Sequence, residues 1–173
     1  MSAVRAIIAT LLLAGAALAS FHFAWMPFTC NILERTVQAR TDELFEKRMP
    51  EYRQTQLAED NIKLLSGCAR CTPTSPNLHL LSAANWSLRG DHEMTLREYE
   101  TALHYDRRPE LYFNLGMAQL DAGLIEQATI SLVTACMFRL STINDIPPGT
   151  VHDEVTRRTN ATYEAAMRKR SNR

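Results

Sequence analysis

Hydrophobic and polar positions divide the chain into unlike stretches. From Ala6 to Phe28 no charged residue occurs, and only Thr10, Gly15, Ser20, His22 and Pro27 interrupt an apolar run of 23 residues. At 1.5 Å per helical residue this run covers about 30 Å, the thickness of a bilayer's hydrocarbon. Beyond it, apolar residues return at helical spacing among charges. Leu33, Val37, Leu44 and Phe45 predict a helix over Asn31–Met49, and Leu57, Ile62, Leu64 and Leu65 a second over Pro50–Ser66. Pro50 separates them: the residue before a proline is pushed out of the α region, whereas proline suits a first helical turn. Gly67 is placed to cap the second helix, and Thr72-Pro-Thr-Ser-Pro-Asn77 is a loop by composition.

The apolar run has two readings. As a cleaved export signal, Arg5 is the basic flank, Ala6–Leu13 the apolar centre, and Ala17-Leu18-Ala19 the small-residue site before Ser20. As a retained anchor, the run continues through Phe21, Phe23, Trp25 and Phe28, with late aromatics suited to a membrane interface. The apolar continuation past Ser20 favours the anchor. Either way the residues after about 30 are expected across the membrane from the positive end.

The second half of the chain repeats itself. Gly90 and Gly123 lie 33 residues apart, and so do Ala102 and Ala135. In the second unit Tyr112, Leu115, Gly116, Gly123, Ala128, Leu132 and Ala135 form the pattern, and in the first Trp86, Gly90, Tyr99, Ala102 and Leu103, with Ala83 and Thr95 at the looser positions. The pattern resembles the tetratricopeptide repeat, a helix–turn–helix unit of about 34 residues. The resemblance implies an all-α chain: an N-terminal transmembrane or signal helix, then a short solenoid of antiparallel helix pairs, closed by a capping helix. It divides the sequence into an anchor (1–29), a helical lead-in (30–76), two repeats (77–141) and a connector, cap and basic tail (142–173).

What the resemblance implies about function is docking. The first helices of such repeats line a concave groove, which here includes Asn77, Leu80, Ala84 and Leu88 from one unit and Glu110, Phe113, Asn114, Met117 and Asp121 from the next. Phe113 is the expected aromatic anchor. Repeats that clamp a carboxylate use lysines and asparagines there, whereas this chain offers Leu80 and Phe113. The implied partner is a protein or peptide, and the implied setting is a bacterial inner membrane, with the repeats on the periplasmic side or, if the signal is cleaved, free in the periplasm. The helix Ile125–Leu140 is apolar on most of its circumference and must be covered. Val151, Val155, Ala161, Tyr163, Ala166 and Met167 of a capping helix over Val151–Arg170 are the candidates, across the connector Ile146-Pro-Pro-Gly149.

Composition narrows the classes. Nineteen basic residues balance nineteen acidic ones, and the sequence pI is about 7.0, which speaks against a dedicated nucleic-acid binder. At 46% hydrophobic residues the chain is not of the disordered type. Cys68-Ala-Arg-Cys71 is the one reactive motif. It fits a local disulfide, free thiols or another pairing, and its place after a helix, where the dipole disfavours a thiolate, argues against redox catalysis. Cys30 and Cys136 lack the spacing for a zinc site, and Thr72 stands where haem attachment needs histidine. Neither paired histidines nor a phosphate-binding glycine loop is present, so no enzyme activity, cofactor or metal is expected. Asp91 and Glu93 suit a helix start. The sequons Asn85-Trp-Ser87 and Asn160-Ala-Thr162 fall inside predicted helices. Two alternatives remain open: a thiol–disulfide protein and a structural subunit of an envelope assembly.

Overall fold

The computed structural model describes residues 2–46, 49–70 and 72–171, and of 2–12, 21–24, 26, 27 and 46 the backbone alone. The chain is all-α, with no strand among the described residues. Helix α1, Ser2–Glu46, is a single rod of 45 residues. It runs on through Pro27, so the helix expected to begin at Asn31 is the continuation of the apolar one. Among the described residues no helix is long and apolar enough to cross a membrane. The expected anchor falls largely on positions whose side chains lie outside the described set.

Helix α2, Glu51–Ala69, begins directly after Pro50, as the proline predicts. Its far end differs from the expectation: Gly67 is not a cap, and the helix continues through it. Packing explains the extra turn. Leu65 and Cys68 lie three residues apart on one face and are buried with Cys30, Val37, Leu78 and Leu81 in the core joining α1, α2 and α3.

Four helices follow: α3 Pro76–Leu88, α4 His92–Tyr105, α5 Pro109–Asp121 and α6 Ile125–Phe138. Local chemistry sets their ends. Ser75 accepts from the Leu78 N–H ahead of Pro76, and Asp91 accepts from the Met94 N–H at the head of α4. The two glycine turns are copies of one another. Gly90 has φ +80° with Asp91 N–H bonded to Trp86 O; Gly123 has φ +75° with Leu124 N–H bonded to Gln119 O. Both are left-handed C-terminal turns of the kind glycine accepts without strain.

Helices neighbouring in sequence pack together, most closely α3 with α4 and α5 with α6. The second half of α1 lies against α2 and α3. Ala83, Tyr99, Ala102, Leu111, Leu115 and Ala118 form the core joining α3, α4 and α5.

Helix α6 stops at Phe138, short of Leu140, where a 3-10 turn (Leu140–Asp145) takes over. Helix α7, Thr150–Ser171, covers it only in part. Val155 is buried with Leu132, Cys136 and Ile146, and Val151 packs beside them. The other expected covering residues, Ala161, Tyr163, Ala166 and Met167, are exposed. The reason is length: α7 has 22 residues and α6 has 14, and α7 beyond Thr159 runs clear of the bundle.

Candidate docking cleft

Helices α3 and α5 lie side by side and offer one face in common. Leu80 and Ala84, four residues apart on α3, meet Asn114, Met117 and Asp121 at spacings of three and four on α5. Tyr99 of α4 forms the floor. The opposite wall comes from α1, which contributes Gln38, Thr41, Asp42 and Phe45. Two adjoining hollows result, of about 280 and 210 Å³, which share Phe45, Ala84, Tyr99 and Asn114. A third, of about 290 Å³, continues past Gln38 to Asn31, Glu34, Arg35 and Asn77. Together they form a cleft running along α1 from Asn77 to Asp121.

The expected groove residues divide into two groups. Leu80, Ala84, Asn114, Met117 and Asp121 line the cleft together, and Asn77 stands at its end, its Oδ1 accepting from Arg108 at 2.9 Å. Leu88 is half-buried away from these hollows, and Glu110 is paired with Arg139 at 3.3 Å. Phe113 is half-buried against Leu132, Cys136, Ile146 and Val155, so its ring belongs to the packing of α5 with α6 and α7.

The wall from α1 was not anticipated. Val37, Thr41 and Leu44 are the buried face of that helix, and Gln38, Asp42 and Phe45 each sit one position further round. Phe45 is 65% exposed at the mouth of the cleft. A buried amide network holds this wall in place. Asn85 donates to Thr41 Oγ1 at 3.0 Å and to its own helix at Leu81 O, and accepts from Asn61 Nδ2 at 2.9 Å. One side chain thus ties α3 to both α1 and α2. Its full burial also places the Asn85 sequon out of reach of modification in the folded chain.

Electrostatics give the cleft a sign. Among the described residues, Asp42 and Asp121 are the charged ones lining the two hollows at Phe45, and none that lines them is basic. Gln38 Nε2 donates to Asp42 Oδ1 at 2.7 Å, which orients the carboxylate. Burial pushes the Tyr99 phenol up to about 12, so the floor is neutral at ordinary pH.

Cys68 is a buried thiol. A pairing with Cys71, one of the alternatives left open, falls outside the described residues. Burial raises the Cys136 thiol, the opposite of what a nucleophile needs. His79 is held between Glu98 (2.6 Å) and the Pro73 carbonyl (2.9 Å) and stacks on Tyr105. Among the described residues no group of three or more His, Cys, Asp or Glu is arranged to hold a metal.

No protein-family model matches the chain, and no curated protein matches it.

Proposed function

We propose that the chain is a membrane-anchored docking module of tetratricopeptide type, which binds a protein or peptide in the cleft between α1, α3 and α5. In this reading it binds rather than catalyses and needs no cofactor. The N-terminal half of α1 is retained as the anchor, and the repeats lie on the periplasmic side.

The observation that supports docking most directly is the cleft itself. It has an apolar floor, amides and carboxylates on its edges, and an exposed aromatic at its mouth. Apolar floors with a few polar groups at fixed positions are how helical repeats hold extended or helical segments. The repeat reading rests on the 33-residue offset and the matching glycine turns.

A photoreactive residue at position 45 tests this. Irradiation in the native membrane should give one dominant covalent adduct from the cleft, and much less from position 137 on the exposed face of α6. Equal labelling from both positions would remove the cleft as the binding surface.

A further inference from the structure

We propose that the occupant of the cleft is the free end of α7 from a second copy of the chain. The inference rests on the docking reading above and names its partner. From Asn160 to Ser171 every residue of α7 is exposed, twelve in succession, which is about 18 Å of helix projecting from the bundle. This end is amphipathic. Tyr163, Ala166 and Met167 share one face at spacings of three and four, and Arg168, Lys169 and Arg170 follow. Glu164 is the one acid in the stretch, and it already pairs with Arg168 at 3.7 Å.

The cleft is the complement. Leu80, Ala84 and Met117 offer an apolar lining that Tyr163 and Met167 can fill. Asp42 and Asp121 stand on its edges, and among the described residues none that lines the two hollows at Phe45 is basic. The helix end carries three cations against one acid, and the receiving hollows carry two carboxylates. Such pairing sets register and partner choice more than raw affinity. The helix end cannot serve its own cleft, because a continuous helix packed on α6 cannot turn back across α5. Each copy thus carries both a cleft and a helix end, so it can receive one neighbour's helix end while docking its own.

Charge reversal on the whole 173-residue chain in lipid nanodiscs tests this. One variant reverses the cleft (Asp42→Lys with Asp121→Lys) and another reverses the helix end (Arg168→Glu, Lys169→Glu, Arg170→Glu). All five positions are exposed, and circular dichroism checks that both variants are folded. The wild-type chain should self-associate with increasing loading, and each variant alone should associate at least about tenfold more weakly. Mixing the two variants should restore association, because each then offers the other a matching surface. A mixture that stays monomeric overturns the proposal, and so does association that neither reversal touches. The photoreactive probe at position 45 separates the two readings. Adducts with another protein, the chain itself staying monomeric, keep the cleft and remove the second copy. No adduct at all removes both.

Discussion

Gly116 on α5 faces Leu132 on α6 so closely that a Cβ at position 116 would stand 2.7 Å from Leu132 Cγ and 2.9 Å from Cδ2. Leu132 is fully buried and has nowhere to retreat, and the Ala128 carbonyl lies 3.3 Å from the same point. Gly116→Ala should therefore lose about 1–2 kcal/mol of stability even though alanine gains about 1 kcal/mol of helix propensity. Gly116→Leu should lose about 3 kcal/mol or more. Urea unfolding measures both, and an unchanged midpoint for the leucine variant would mean that α5 and α6 do not approach this closely.

The amide network predicts a coupling. Asn85→Ala strands Asn61 Nδ2 and Thr41 in the interior and should cost about 2–3 kcal/mol. Asn61 Oδ1 already lacks a hydrogen-bond partner, so Asn61 has less to lose of its own. Replacing both asparagines by leucine should be less harmful than the sum of the single changes, with a coupling of about 1 kcal/mol or more. Additive single effects would show that the two amides do not act as a pair.

Acid should weaken the ion pairs of α7, those of Glu154 within the helix and that of Glu126 across to α6. Arg157 and Arg158 hold the Glu154 carboxyl down from its ordinary value of 4.5 to about 2, and Arg158 lowers Glu126 as well. A folded value below the unfolded one contributes stability that is present above about 4.5 and is lost as pH falls towards 2. The groups are exposed, so the effect should be small and should fade with added salt. Thermal midpoints between pH 5 and pH 2 should fall less steeply in Arg158→Gln than in the wild type.

Alkali should act at the floor of the cleft. Tyr99 is raised from 10.0 to about 12 by burial. Its contribution to stability is therefore complete below pH 10 and is lost as pH rises from 10 to 12. Tyr99→Phe should flatten that part of the stability curve, and phenolate absorbance should show a late-ionising tyrosine that the variant lacks.

The turns of this fold are legible in the sequence because residues adjacent to them dictate them. Gly90 and Gly123 supply a positive φ, Asp91 supplies a cap oxygen, and Pro50 starts a helix whatever packs above it, whereas the loop expected through Asn77 ends at Ser75, which caps α3. Gly67 could not be read this way, because burial of Leu65 and Cys68 carries α2 past it. The cleft was half legible. Leu80, Ala84, Asn114, Met117 and Asp121 are positions that the repeat resemblance implies, whereas Phe113, implied with them, sits one position, or about 100° of helix rotation, from Asn114. Which of the two faces the cleft is decided by where α7 lies, and nothing in α5 encodes that. The same one-position step separates Leu44, which is buried, from Phe45, which is exposed.

Helix α1 is unbroken from Ser2 to Glu46, and its second half is a wall of the cleft. The domain is thus mounted on a stem and not on a tether. A flexible linker of 20 residues would let a cleft wander over roughly 25 Å in every direction. A helix of that length fixes the distance of the cleft from the far end of the stem, so with that end as the proposed anchor, copies side by side would present their clefts and projecting helix ends at matching levels.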